Sequence, residues 1–502
     1  MTIYKLILSM LLIGLLGENI YAISNKNEAK QNQIEKLVRY CSSNDIFSGV
    51  ILVYSEGDVI FKKAVGFKDY SRKHRLDTNS VFSLASVSKT FTSTAALLLI
   101  ERGILKYDDK LSKFYPDFPN AEKITVYQLL THTCGMPTYL DYGGVFRVSG
   151  RPGDFQDGVT NEKVLKYLKT RKTLRFQPGS RYQYSNSGYF MLSMVVEKAS
   201  GKPFHKFIQE EIFTPLNMND SYVASSPNLS FTNRARGFTH FYEPDDDNLL
   251  TTGGGGIFST VDDLLKWDKA LLSNTLLSKE TFSQTFHATK LNDGSKPCEP
   301  SDSSFCYGKG WIYRVNANDT IMFHDGGLNC CSSIFYRDVK RKYTIIILNN
   351  KGNSGPNHPI YGIHNAIIRI MDDESFEYPK IPISIKVKKE LELGTNIERA
   401  EFLLNNNSYD YSFRHLNNLG YHYLQKKETQ KAQTVFRVNI KLHPNEANAY
   451  DSYAEALYLN NEFNESKLNY MKSLELNPDN TNASRMLKQI ENKESKHFNE
   501  KN

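Results

Sequence analysis

The chain has 502 residues, more than one compact domain normally holds, so two or more domains are expected. Its composition, 40% hydrophobic and 23% charged with thirty tyrosines, is globular and excludes a disordered or fibrous chain. A formal net charge of +7 is small for this length, and with no Lys/Arg tract to follow phosphates a nucleic-acid partner is not expected.

The first segment, "MTIYKLILSMLLIGLLGENIYA", carries one early cation at Lys5, an apolar run from Leu6 to Gly17 and a polar break ending at Ala22. That pattern is a signal peptide at 1–22 and predicts export, to the periplasm or the medium. The run is shorter than the roughly 20 apolar residues a membrane span needs, so no stable span is expected in the mature chain. Next, "FSGVILVYSEGDVIFKKAVGF" (47–67) gives two β-rich runs around a Glu-Gly-Asp turn, a hairpin signal. "SLASVSKTFTSTAALLLIERG" (83–103) reads as a long amphipathic helix that opens on Ser86, Ser88 and Lys89. Helical material continues to about Leu216, broken by "THTCGMP" and "RFQPGSRYQYSNSG".

Strand patterns return late, in "KGWIYRV", "TIMFHDGG" and "SSIFYRDVKRKYTIIILNNK". A hairpin early and strands late, with helices between, predict an α+β fold: one antiparallel sheet built from both ends of the domain, flanked by helices and a helical lobe. The Pro-punctuated "SFEYPKIPISIKVKKELELG" (375–394) reads as a boundary. Beyond it a pattern repeats at a spacing of 34, with Pro444/Pro478, Phe436/Tyr470 and Tyr423/Leu457 in phase. Leu419, Gly420, Tyr423, Ala432, Phe436 and Pro444 fall at the positions of a tetratricopeptide helix–turn–helix repeat. Two repeats with flanking helices at about 385–405 and 481–493 would form a small all-α stack, for a protein or peptide partner or for packing. The expected organisation is a signal peptide at 1–22, a catalytic domain at 23–375, a linker and flanking helix at 376–410, repeats at 411–493 and a polar tail at 494–502.

The six cysteines fit an oxidising compartment. Cys298 and Cys306 bracket the loop-like "EPSDSSF" and could close a small disulfide, while Cys134 and Cys331 read equally well as small buried residues. No zinc-type spacing is present.

Three short motifs bear on chemistry. Ser86 and Lys89, three apart on a helix, share a face. A serine hydroxyl attacks only when its proton is removed, and a lysine can remove it only with a pKa pulled far below about 10.4. In "YQYSNSGY", Tyr184 can shuttle a proton and Asn186 can hold a substrate amide. In "MFHDGGLN", a strand ends on His324 and two glycines, whose backbone can approach a substrate closely.

In this order, Ser-x-x-Lys, Tyr-x-Asn and His-x-Gly resemble the serine β-lactamase and penicillin-binding-protein superfamily, most closely the class C β-lactamase-related serine hydrolases, or D-alanyl-D-alanine carboxypeptidase B family. "LLTHTCGMP", "IFTPLNMNDS", "GGGGIFSTVDDLLKW" and "YGKGW" are similar to further family stretches, so that the resemblance covers about 35–370. It implies Ser86 as acylated nucleophile and Lys89 with Tyr184 as the base system. It implies Asn186 on a substrate amide, and His324 near Tyr184 and the leaving group. The Ser86 and Gly327 N–H groups would form an oxyanion hole beside Gly326, and no metal or organic cofactor is needed. Asp325 departs from the pattern, standing where relatives that bind a substrate carboxylate have Thr or Ser; Cys330 stands where relatives often have Gly. The function implied is an exported serine hydrolase on peptide-like or small ester substrates. The alternatives are a β-lactamase or penicillin-binding carboxypeptidase, and a non-catalytic binding protein using the repeats.

Overall fold

The computed structural model describes residues 26–139, 159–224, 232–244, 249–285, 289–299, 302–316, 320–352, 358–399 and 406–501. The predicted signal peptide lies outside them. The chain forms two compact units, one of Phe47–Gly352 with the chain up to Lys36, the other of Leu37–Ile46 with the chain from Asn353 onward.

The first unit is organised on one antiparallel sheet of eight strands: β1 (Gly49–Ser55), β2 (Asp58–Val65), β3 (Cys298–Glu299), β4 (Asp302–Tyr307), β5 (Ile312–Val315), β6 (Thr320–Gly327), β7 (Ser332–Asp338) and β8 (Tyr343–Asn349). Their spatial order is β2-β1-β8-β7-β6-β5-β4-β3, so the early hairpin joins the late strands through β1 and β8. Glu56 and Gly57 both take positive φ, the conformation a two-residue hairpin loop requires, and Ser55 pairs with Asp58 across it. β7 and β8 are buried along their whole length and read as continuous apolar runs because both faces are covered.

Two expectations need correction. "EPSDSSF" is not simply a loop: its second half belongs to β4, a strand next to the sheet edge whose exposed Ser303 and Ser304 give no apolar signal, and the Cys298–Cys306 disulfide ties it to the edge strand β3. The helix after Ser86 is α1 (Ser88–Glu101), and it is not amphipathic, being buried on all sides from Ser88 to Leu99. Its polar residues reach that depth because their hydroxyls find carbonyls. Thr92 donates to Gly253 O at 2.9 Å and Ser93 to Lys309 O at 2.6 Å. Stacking of Phe91 on Trp267 closes one side.

α2 (Asn186–Ser200) packs along α1. It starts on the Ser185 N-cap, whose side chain accepts from Gly188 N, and stops at Gly201 with φ +69°. α3 (Val261–Ser273) begins at Thr260, whose hydroxyl accepts from Asp263 N at 3.2 Å.

The second unit is helical. Its later part comprises α4 (Phe413–Gln425), α5 (Thr429–Leu442), α6 (Ala447–Leu459), α7 (Phe463–Leu476) and α8 (Thr481–Lys501), each packed on the next. Leu419, Tyr423, Ala432, Phe436, Leu457 and Tyr470 are all buried. A Cβ at Gly420 would lie 2.3 Å from the Phe436 ring, so α4 and α5 approach through that glycine. No helix among the described residues is long and apolar enough to cross a membrane.

Candidate active site

Ser86 lies in a single 3₁₀ turn, Ala85–Val87, immediately before α1. Ala85 holds φ +44°, an unfavourable region for a residue with a Cβ, so backbone strain sits directly beside Ser86. The turn sits against the end of β6. A Cβ on Gly326 would meet Leu84 O at 2.5 Å and the Ser86 amide nitrogen at 2.7 Å, so only glycine lets the strand come this near. The next residue, Gly327, has nothing within 4 Å of the Cβ position and faces open space.

Lys89 is the electrostatic centre. It is 0% exposed, and its Nζ stands 3.1 Å from Ser86 Oγ, 2.7 Å from Asn186 Oδ1 and 2.6 Å from Gly254 O. Burial pushes its pKa well below the ordinary lysine value, and the Asp325 carboxylate opposes that shift. A lysine desolvated in this way can hold an unprotonated amine against a serine hydroxyl.

Tyr184 is 37% exposed as a residue, with its hydroxyl turned inward to hydrogen-bond Ser86. Desolvation there raises its pKa well above the ordinary value, outweighing the Ser86 bond, so the phenol keeps its proton. Lys89 Nζ lies 4.8 Å from the ring centroid. Asn186 opens α2 and turns its Oδ1 to Lys89, which leaves its amide hydrogens for the cavity it lines.

His324 is buried and does not line the cavity. Its Nδ1 donates to Asp325 O at 2.6 Å, so its Nε2 accepts from the Tyr307 hydroxyl at 3.1 Å. Burial, then Lys89, bring its pKa down to about 4, so the imidazole is neutral. The field at this position is therefore that of a neutral ring. Asp325 supplies the negative charge that Lys89, Tyr184 and His324 all feel.

A cavity of about 70 Å³ opens beside these groups. Ser86, Asn186 and Gly327 line one part of it, with Phe82, Tyr139 and Phe258 as apolar wall. Cys330 and Cys331 are buried and also line it.

Thus Ser86, Lys89, Tyr184, Asn186, His324, Asp325, Gly326 and Gly327 are brought together from three separate stretches. Sequence reasoning did not single out three other participants. Gly254 supplies a carbonyl to Lys89, and the run of four glycines was its only signal. Tyr307 holds His324, and it is the first residue of "YGKGW". His132, in "LLTHTCGMP", is fully buried against Tyr184, Tyr189 and Tyr307.

A one-turn serine against a buried lysine, at the end of an inner strand of an antiparallel sheet covered by helices, defines the class: the chain is a serine hydrolase of the β-lactamase-related kind. The Beta-lactamase family model matches residues 30–366, and the chain belongs to that family. It is 29% identical over 380 residues to a penicillin-binding protein of Bacillus subtilis (strain 168), covering 72% of this chain and 80% of that one. Among solved structures, it is similar to an octameric penicillin-binding protein homologue from Pyrococcus abyssi, with TM-score 0.60 and 23% identity over 72% of this chain and 81% of that one. It is also similar to the D-amino acid amidase of Ochrobactrum anthropi SV3, with TM-score 0.56 and 22% identity over 69% of this chain and 98% of the amidase.

Proposed function

We propose that the chain is an exported hydrolase that cleaves amide or ester bonds through an acyl-enzyme on Ser86, on peptide-like or small ester substrates. The observation that carries this reading is the buried, pKa-lowered Lys89 with its Nζ 3.1 Å from Ser86 Oγ. Neutral Lys89 takes the hydroxyl proton as Oγ attacks the substrate carbonyl carbon. The Ser86 and Gly327 N–H groups receive the developing oxyanion. When the carbon–leaving-atom bond breaks, the leaving atom takes the Tyr184 proton, and the proton held on Lys89 restores the phenol. Water then attacks the acyl carbon with the same groups in reverse order. Asn186 offers its amide hydrogens to a substrate carbonyl.

Asp325 sets the substrate class on the leaving-group side. Its carboxylate acts on Lys89 and Tyr184, so it repels a substrate carboxylate at that end and disfavours penicillins and terminal D-Ala-D-Ala. The β-lactamase and carboxypeptidase alternatives are weaker for that reason. The purely binding alternative does not need the complete Ser86–Lys89–Tyr184 set. The helix pairs α4–α5 and α6–α7 are read as tetratricopeptide-like repeats for a protein or peptide segment, on the 34-residue spacing and the Gly420–Phe436 approach. Export rests on the leader pattern ending near Ala22.

The test is intact-protein mass spectrometry after incubation with a fluorophosphonate and, separately, with benzylpenicillin, with Ser86→Ala as control. A Ser86-dependent adduct with the fluorophosphonate alone is the expected result. Rapid acylation by the penicillin would overturn the role given to Asp325, and no adduct with either reagent would overturn the hydrolase reading.

A further inference from the structure

We infer that His132 is a positioning residue that sets Tyr184 by clamping the backbone on both sides of it; this rests on the reading of Ser86, Lys89 and Tyr184 given above. Tyr184 sits in an irregular segment between Tyr182 and the start of α2, where no helix or strand ladder fixes its backbone. Such a segment positions a side chain only if its amides are held from outside. His132 does this twice. Its carbonyl accepts from Gln183 N at 3.0 Å, and its Nδ1 accepts from Ser185 N at 3.0 Å. The two bonds bracket Tyr184 across a sequence separation of 53 from imidazole to Ser185.

The direction of the second bond is unambiguous, because a backbone N–H can only donate. Nδ1 is therefore unprotonated, and the ring's hydrogen is on Nε2. Nε2 is buried and has no hydrogen-bond acceptor. The imidazole is packed instead among rings, its centroid 4.3 Å from those of Tyr184 and Tyr307 and 4.7 Å from that of Tyr189. Protonating Nδ1 would cost the Ser185 bond and place an uncompensated cation beside Lys89, and burial accordingly holds the His132 pKa well below its ordinary value. The imidazole thus acts as a fixed acceptor on one side and as a wall of the Tyr184 ring on the other. It reaches Ser86 only through Tyr184.

The backbone at His132 makes the inference testable. Its φ is +57°, in the left-handed region where asparagine is tolerated among non-glycine residues. Asparagine also puts its Oδ1 near the place of an imidazole Nδ1. His132→Asn therefore keeps both the backbone preference and the acceptor. His132→Gly keeps only the backbone freedom, and His132→Leu keeps only the volume.

The experiment measures kinact and Ki for fluorophosphonate labelling of full-length wild type and the three variants, with circular dichroism to confirm folding. Wild type must label at Ser86; if it does not, the hydrolase reading fails and this inference with it. With wild type labelling, we expect His132→Asn to stay close to wild type. His132→Gly and His132→Leu should lose about 10²-fold in kinact with Ki held, the cost of a misplacement near 1 Å. Glycine matching asparagine would reduce the role to backbone strain, and leucine outperforming asparagine would reduce it to packing; either overturns the inference. If leucine or glycine fails to fold, folded His132→Asn decides alone: near-wild-type kinact supports the clamp, and a 10²-fold loss overturns it.

Discussion

Replacing Gly326 with alanine should separate Ser86 from the end of β6. An added Cβ would meet Leu84 O at 2.5 Å, Ser333 Oγ at 2.6 Å and Ser86 N at 2.7 Å. Two of these are backbone atoms and cannot rotate away. Ordinary contact begins at 3.4 Å, so strand and turn must part by about 0.9 Å at the tightest point. Overpacking of this kind costs about 1–3 kcal/mol of stability. Its effect on chemistry is larger, because the two backbone amides assigned to the oxyanion, Ser86 N and Gly327 N, lie on the two segments forced apart. A shift near 1 Å costs about 10²-fold in rate, or about 2.7 kcal/mol of barrier. The assay is fluorophosphonate labelling of Ser86, with thermal unfolding measured alongside. Gly327→Ala is the comparison, since its Cβ meets nothing within 4 Å and should leave stability unchanged. Wild-type labelling by folded Gly326→Ala would refute the reasoning, because the close approach of strand and turn would then have no catalytic consequence.

Asp325 raises the Lys89 pKa against the burial that lowers it. Asp325→Asn should thus let Lys89 shed its proton at lower pH and move the acid limb of kinact/Ki downward, by about one pH unit for each 1.4 kcal/mol of lost interaction; an unmoved limb would show that the carboxylate does not act on the base. His324, held near a pKa of about 4, should contribute no titration around pH 6.5, so His324→Gln should leave the profile's shape between pH 5.5 and 8, roughly a neutral histidine's window, intact. The Cys298–Cys306 bridge closes a short loop at the sheet edge, so the double serine variant should lose at most about 2–3 kcal/mol of stability on loop entropy and keep labelling at Ser86. In the helical unit, Gly420→Ala drives a Cβ into the Phe436 ring and should lower its melting temperature, with Phe436→Leu restoring part of the loss in the double variant.

Much of the fold is written locally. The Glu56–Gly57 turn, the Thr260 cap and the glycine ending α2 are readable because each depends on a few neighbouring residues. β4 was missed because it opens on Asp302, Ser303 and Ser304, which carry no apolar run or alternation. α1 was misread because its polar residues are satisfied by carbonyls such as Gly253 O and Lys309 O, far away in sequence.

The site divides in the same way. Sequence alone determined which side chains were available: a serine and lysine on one face, a tyrosine and asparagine at a helix start, a strand ending in His-Asp-Gly-Gly. Only the tertiary structure decided what those groups are. Lys89 has its pKa lowered because α2, the glycine run and its own helix remove it from water, and desolvation depends on everything packed around a group. His324 is neutral because Tyr307 and burial make it so. His132 gains its role from Ser185, a partner 53 residues away that no local pattern can name. Residue type and spacing are local properties of a chain, whereas charge state and position are properties of the surroundings that folding creates.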